Sequence, residues 1–354
     1  MSSIITCEQV SRGHPDKICD QIADAIVTDC LRHDKDSRLG VEVLIKDDYI
    51  AIAGEITSEH CPDYSKLVSQ VFDRIGRDRL GYDISEPYLK VWVSHQSPDI
   101  AQGVDAGGAG DQGMMFGYAT NETPELLPIP FVLAGKLLEK LEEKGGGLLR
   151  ADAKAQVTFD YDAWRIVTFL CSVQTVSGAS HKEVEKLVGK LMKEVASEAA
   201  LNRDFKILVN PTGKFEKGGP FADCGVTGRK LACDTYGGVG HIGGGAMSGK
   251  DPSKVDRSGA YMARKIARDI VRAGFADRCE VQIAYAIGVA EPVSVHVETF
   301  GTESQELDFI EEYIRGSYDL TPKGIITSLN LLSVDYNFVS SGGHFGKDGL
   351  PWEE

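Results

Sequence analysis

Hydrophobic positions along the chain follow two periods, and the switch between them recurs. Alternation marks Val41–Lys46 and Tyr49–Ile56 as strands around a Lys46-Asp47-Asp48 turn; Asp63–Gly76 then carries Leu67, Val71 and Ile75 at helical spacing, and Tyr88–Ser94 reads as a strand again. The same order of hairpin, amphipathic helix and strand returns as Ala155–Phe159, Trp164–Val176, a helix near Ser180–Ala196, and Lys206–Val209. That second helix aligns Val184, Leu187, Val188, Leu191 and Val195 on one face. A third round reads Cys279–Ile287, Val293–Phe300, a helix near Ser304–Ile314, and a closing strand at Tyr336–Ser340. Three units of this kind predict an α+β molecule of three similar lobes, each a sheet covered by helices. The repetition is one of pattern, since residue identity between the copies is not evident.

Between the units lie glycine-rich stretches that read as neither strand nor helix interiors: Gly103–Gly117, Gly145–Gly147, Gly218–Gly228 and Gly237–Gly249. They are studded with charge and lack the Ser/Pro monotony of spacers, which points to loops whose backbone N–H groups approach phosphate. Composition sharpens this. The formal charge is −15, which argues against nucleic acid or an anionic membrane as main partner, so local basic clusters become informative. At 42% hydrophobic and 26% charged over 354 residues, the chain reads as a soluble protein of two or three domains. No apolar run is long enough for a bilayer, and Met1–Val10 has no basic segment followed by an apolar one. The eight cysteines stand singly, without zinc spacing, and read as reduced cytoplasmic thiols.

Five segments carry candidate chemistry. Gly13-His14-Pro15-Asp16-Lys17 opens a helix predicted to run to about Asp34, with Ile18, Ile22 and Ile26 inward; an imidazole, a carboxylate and an ammonium thereby stand at a helix N-terminus suited to phosphate and its metal ion. Asp223 to Lys230, with adjacent Arg229 and Lys230, is a polyphosphate grip or a solvated basic pair, followed by a predicted strand to Asp234. Gly237 to Asp256 contains two deceptive matches. Gly238–Gly243 fits the dinucleotide pattern, but glycine continues where a helix must begin. Gly244–Lys250 fits a phosphate loop except that Asp251 stands where Ser or Thr would hold magnesium; Asp251-Pro252 then starts a predicted helix bearing Lys254 and Asp256. Asp152-Ala153-Lys154 precedes the second hairpin. Gly108–Gly113 follows Gln96-Ser97-Pro98-Asp99 at short range. No Gly-x-Ser-x-Gly, His-Glu-x-x-His or kinase set is present. The histidines other than His14 read as surface or core residues.

Taken together these segments resemble the S-adenosylmethionine synthetase family along nearly the whole chain. Gly13–Lys17, Gln96–Ile100, Gly108–Gly113, Asp223–Lys230, Asp234–Gly238, Gly243–Arg257 and Ala284–Pro292 stand in that family's order. The resemblance implies three pseudo-symmetric lobes interleaved in sequence, with residues 1–12 and 122–218 in an N-terminal lobe, 13–101 and 219–261 in a central one, and 102–121 and 262–354 in a C-terminal one. It implies synthesis of S-adenosylmethionine from methionine and ATP. The methionine sulfur attacks C5′ with loss of triphosphate, which is then hydrolysed to phosphate and pyrophosphate. His14, Lys154, Arg229 and Lys250 look catalytic. ATP contacts carry over to His14, Asp152, Lys154, Lys214, Phe215 (on adenine), Asp223, Arg229, Lys230, Ala246 and Lys250, and methionine contacts to Glu55, Gln96, Asp111, Asp223 and Lys254. Asp16 and Asp256 resemble ligands for magnesium (two ions per site) and Glu42 a ligand for potassium. The resemblance further implies a homodimer with shared active sites, or a dimer of dimers, in the cytoplasm.

The match has departures. The segment between Asp99 and Gly108 is shorter than the lid of typical bacterial members. Met247 stands where Phe is usual, Lys214 where Arg is common and Arg12 where Glu is common. Ala222 replaces a glycine, which predicts a negative φ there.

Overall fold

The computed structural model describes residues 3–96 and 107–354. The chain opens with β1 (Ile4–Val10) and α1 (Pro15–His33), then forms the hairpin β2 (Arg38–Lys46) and β3 (Tyr49–Thr57). Helices α2 (Tyr64–Ile75) and α3 (Arg77–Leu80) lead to β4 (Tyr88–Ser94). Strand β5 (Gly113–Thr120) and α4 (Ile129–Lys144) precede a second hairpin, β6 (Leu149–Asp160) and β7 (Arg165–Thr175), followed by α5 (His181–Glu198) and β8 (Lys206–Val209). The short β9 (Gly225–Val226), the single turn α6 (Leu231–Asp234) and the long α7 (Val255–Arg272) come next. A third hairpin, β10 (Arg278–Tyr285) and β11 (Ser294–Glu298), is followed by α8 (Leu307–Ser317), α9 (Pro322–Ser328) and α10 (Tyr336–Val339).

These strands make three sheets, ordered β1-β6-β7-β8, β9-β2-β3-β4 and β5-β10-β11. Each is built on a hairpin (β6-β7, β2-β3 or β10-β11) whose first strand takes an antiparallel neighbour from another part of the chain: β1 on β6, β9 on β2, β5 on β10. The first two sheets are mixed, because the crossover helices α5 and α2 return the chain to β8 and β4 in parallel pairing. The lobes are thus pseudo-symmetric, helix-covered and interleaved. The third sheet, among the described residues, is purely antiparallel and lacks the fourth strand. The predicted closing strand at Tyr336–Ser340 is instead the helical turn α10, capped by the Asp335 carboxylate, which accepts the N–H of Asn337.

Two cores hold the lobes. Ile129, Leu133, Leu137 and Leu141 of α4 meet Val184, Val188, Leu191 and Val195 of α5 over the first sheet. The second core is continuous from α1 and the β2–β4 sheet to α7 and the β5–β10 pair, so two lobes share one interior.

Two glycine-rich stretches contain strands that pattern reading leaves as loops. Gly117 lies inside β5, where a β-carbon would sit in the backbone of Ala263 on α7; Gly225 lies in β9 against the carbonyl of Pro15. In both, glycine marks a close approach of backbones. The predicted strand to Asp234 is the helical turn α6, and the helix expected from Asp251-Pro252 begins at Val255. Ala222 has φ −95°, the negative value its side chain requires. The Asp99–Gly108 segment lies mostly outside the described residues.

Candidate active site

Helix α1 begins with Pro15 in its first turn and His14 as N-cap, whose Nδ1 accepts the N–H of Asp16 at 3.2 Å. Gly13 lies so close to Ala151 on β6 that a β-carbon would fall 2.5 Å from that alanine's own. Strand β6 is irregular there: its register with β7 shifts between Leu149 and Ala153. Ser11 fastens the irregularity, its hydroxyl donating to the Ala151 carbonyl at 2.6 Å and accepting the N–H of Ala153 at 2.8 Å. The shift leaves the Asp152 carboxylate accepting the N–H of Gly219 at 2.8 Å, while Lys154 pairs with Val10 of β1 and stays exposed.

The buried carboxylates of α1 organise the loops above it. Asp16, Asp20 and Asp24 stand four residues apart, on one stripe. Asp16 accepts the N–H of Val226 at 2.9 Å, Asp20 that of Gly228 at 2.8 Å, and Asp24 that of Gly249 at 2.9 Å. Each also meets a cation. Lys230 and Arg229 reach Asp16 at 2.6 and 3.2 Å, Lys17 lies 2.9 Å from Asp20, and the buried Arg257 pairs with Asp24. The isoleucine stripe predicted to face inward does so, but the opposite face is buried as well. Sequence reading missed these roles of Asp20, Asp24 and Ser11; the i, i+4, i+8 spacing of the aspartates was the available signal.

The two glycine-rich loops touch where a β-carbon on Gly228 would run into that of Ala246. Beyond that contact a second group forms. Lys250 Nζ lies 2.6 Å from Asp256 Oδ2, and the absence of a side chain at Gly245 makes room for the Asp256 carboxylate. The backbone of Lys250 bridges to Gly40 of β2, which pairs with Glu55 of β3. Glu42 and Glu55 therefore sit two residues apart in register on the exposed face of the β2–β3 hairpin, next to the lysine. Lys254 turns to Asp251 at 2.7 Å, and Asp251 also accepts the N–H of Leu39 at 2.7 Å. The aspartate that spoils the phosphate-loop pattern thus ties this loop to β2.

Other predicted residues lie more loosely. Lys214 is largely exposed and paired with Glu216 at 3.1 Å; the carbonyl of Phe215 accepts the N–H of Thr175 at 2.8 Å. Asp111 is exposed, its carboxylate accepting the N–H of Gln112. Gln96 donates its N–H to Thr57 Oγ1 at 3.0 Å beyond the end of β4, and the residues that follow it lie outside the described ones. Asp223 is exposed, and Met247 is buried beneath its loop.

Burial, helped by the ammoniums of Lys230 and Lys154, holds the His14 imidazole well below its ordinary range, against the pull of Asp16 and Asp223. His14 is therefore neutral near pH 7. Because Nδ1 accepts a backbone N–H, its proton sits on Nε2. Burial raises Asp16, but hydrogen bonds from Lys230 and the Val226 N–H outweigh it and keep the carboxylate ionised. Asp152 is pushed up to about 6 by burial, against the Gly219 N–H and Lys154.

The fold and this site define a class: a three-sheet α+β protein that gathers lysines, arginine and carboxylates around a helix N-terminus, suited to a polyanion and a hard metal ion. Family models agree along the chain. That for the S-adenosylmethionine synthetase N-terminal domain matches residues 2–98, that for the central domain 106–215 and that for the C-terminal domain 217–354. The chain belongs to the S-adenosylmethionine synthetase family, and the activity this carries is the transferase reaction that makes S-adenosylmethionine from methionine and ATP.

Proposed function

We propose that the methionine sulfur attacks C5′ of ATP in line with the departing triphosphate, and that the same site then hydrolyses the triphosphate to phosphate and pyrophosphate. The supporting observation is the convergence at the start of α1 of Lys154 and Lys230 on the neutral His14, and of Arg229 and Lys230 on Asp16 two residues on. A thioether is already nucleophilic, so no general base is needed; the barrier lies in alignment and in stabilising a multiply charged leaving group. His14 Nε2–H donates to the leaving oxygen. Lys154, Arg229, Lys230 and Lys250 neutralise the phosphates; Asp16 of α1 holds Arg229 and Lys230 in place beforehand and Asp256 of α7 holds Lys250, so little reorganisation accompanies charge development. Asp152, Asp223, Lys214, Phe215 and Ala246 position the nucleoside and phosphates, and Glu55, Gln96, Asp111, Asp223 and Lys254 the methionine.

Magnesium fits the donors present. Asp16 and Asp256 offer carboxylate oxygens, the ligand type hard cations select, and each already contacts a lysine ammonium that occupies a cation's place. Two magnesium ions would supply electrostatic stabilisation of the leaving triphosphate. Glu42 on the outer face of β2 is the residue for potassium. That face also supports a homodimer with shared sites, alone or paired again: Leu44, Tyr49, Tyr88 and Trp92 are exposed on the β2–β4 sheet that bears Glu42 and Glu55. Residues 1–12 and 122–218, 13–101 and 219–261, and 102–121 and 262–354 are the lobe divisions that accompany this reading. Among the described residues no helix is long and apolar enough to cross a membrane, and the cysteines are unbridged; we place the protein in the cytoplasm.

The test is to incubate the purified protein with ATP, magnesium and potassium, with and without methionine, following S-adenosylmethionine, phosphate and pyrophosphate together. Methionine-dependent product with equal phosphate and pyrophosphate is expected. Phosphate release indifferent to methionine would overturn the coupled mechanism.

A further inference from the structure

The opposite end of α1 carries a cluster that the reaction does not use. Helix α1 spans 19 residues from Pro15 to His33, which puts its last turn roughly 28 Å along the axis from the His14 end. In that last turn Asp29 and His33, four residues apart, share a face, and His60 comes to them from the connection between β3 and α2. One donor atom from each of these side chains lies within 4.8 Å of the other two. His60 Nε2 is 2.7 Å from Asp29 Oδ2 and His33 Nδ1 is 3.8 Å from Asp29 Oδ1. Cys61, next in sequence to His60, lines the same cavity of about 300 Å³.

We propose that Asp29, His33 and His60 form a binding site for a zinc-class divalent ion, with the Cys61 thiol available as fourth ligand. Two imidazoles and a carboxylate are the donor set of borderline transition ions, whereas magnesium selects all-oxygen sites. The rings of His33 and His60 are stacked, with centroids 4.0 Å apart and planes 13° from parallel. Parallel rings aim their lone pairs side by side, and zinc–nitrogen bonds of about 2.0–2.1 Å require them to converge. His33, its side chain 55% exposed, makes that turn by releasing the 2.8 Å hydrogen bond between its Nδ1 and the Asp29 carbonyl. The other side of the site is already fixed: Asp34 accepts the N–H of Glu59 at 2.9 Å, Ser58 donates to Asp34 and accepts the N–H of His60 at 3.1 Å.

The surroundings permit a cation. Arg32 also lines the cavity but is drawn to Asp335 at 2.7 Å, and Lys66 shares the wall with the Asp63 carboxylate, which accepts its backbone N–H at 3.0 Å. A helix C-terminus contributes partial negative charge as well. Bound there, the ion would clamp the end of α1 to the β3–α2 connection, far from the residues that meet substrate.

The experiment is equilibrium dialysis of chelator-stripped protein against zinc in excess magnesium, which saturates the oxygen-donor sites, with bound zinc counted by mass spectrometry. The parent should retain one zinc per chain more than either His33→Ala or His60→Gln, and each variant should bind at least about tenfold more weakly. His33 is a surface residue, so His33→Ala should melt with the metal-free parent, which separates lost binding from lost folding. Cobalt in place of zinc should give the intense visible bands of a four-coordinate ion, with a sulfur charge-transfer band that disappears in Cys61→Ser. Equal zinc in parent and both variants, or none retained by the parent, would overturn the proposal.

Discussion

Lys250 illustrates how a side chain can be removed here without removing its loop. Its backbone bridges to Gly40, and the loop is further held by the Gly249 N–H on Asp24 and by Asp251 on Leu39. The ammonium, in contrast, points at Asp256 in the proposed phosphate site. Lys250→Ala should therefore lower kcat by about 10²–10³ while leaving the melting temperature close to the parent's. Steady-state kinetics alongside calorimetry checks both halves, and near-parent turnover would remove Lys250 from the site. Asp152 makes a prediction about pH. Its folded-state value, about 6, lies above that of an unfolded aspartate, so the folded protein favours the neutral acid. The corresponding stabilisation is complete below about pH 4 and is lost as the pH rises through about 6. Asp152→Asn is neutral throughout, so its stability relative to the parent should improve by up to roughly 3 kcal/mol between pH 4 and 7. Urea unfolding across that range reads the difference, and a constant difference would contradict it.

At the scale of elements, the informative positions are those where two backbones meet. Strand β5 carries Gly117 against α7, and no side chain fits between them. Gly117→Ala must push α7 away from the sheet it covers. That helix carries Asp256 in its first turn and the buried Arg257 that pairs with Asp24. The expected cost is about 3 kcal/mol or more, with loss of activity in step, because the same displacement moves the proposed magnesium ligand. Chemical denaturation and activity measured on the same preparation provide the check; parent-like stability would mean that the strand and helix can separate cheaply. Element α1 behaves differently from the amphipathic helices around it. It is buried on both faces; each aspartate of its stripe accepts a loop N–H and meets Lys230, Lys17 or Arg257, while the second oxygen of Asp24 is left without a hydrogen bond. Buried charge of this kind is tolerated because each carboxylate has both a cation and a backbone donor.

For the whole molecule, the exposed apolar side chains of the β2–β4 sheet are the feature a lone chain leaves unexplained. In the homodimer proposed above, Trp92, 62% exposed, and Tyr49 and Tyr88 near it would lie at the interface, where aromatic residues are commonly buried. Trp92→Lys should halve the mass measured by light scattering and reduce activity with it, since Glu42 and Glu55 lie on that face. An unchanged mass would place the interface elsewhere.

The sequence by itself determined the hairpin–helix–strand units, because hydrophobic period is a local property that a window of residues carries in full. Tyr88–Ser94 and Lys206–Val209 were legible to the residue. It also carried the family, because His14, Asp16, Arg229, Lys230, Lys250 and Asp256 stand in long ordered motifs. Only the tertiary structure decided what happens where distant segments meet. Strand β5 was unreadable because Gly113 and Gly117 look like loop residues until α7 lies on them; α10 was misread because Tyr336 and Val339 are buried on a turn as readily as on a strand. The roles of Asp20 and Asp24 on α1 went unread because the partners of its aspartate stripe, the N–H groups of Val226, Gly228 and Gly249, lie more than two hundred residues away. A local pattern can say that a residue is polar; whether that polarity is spent on water or on another part of the chain is settled only when the chain has folded back on itself.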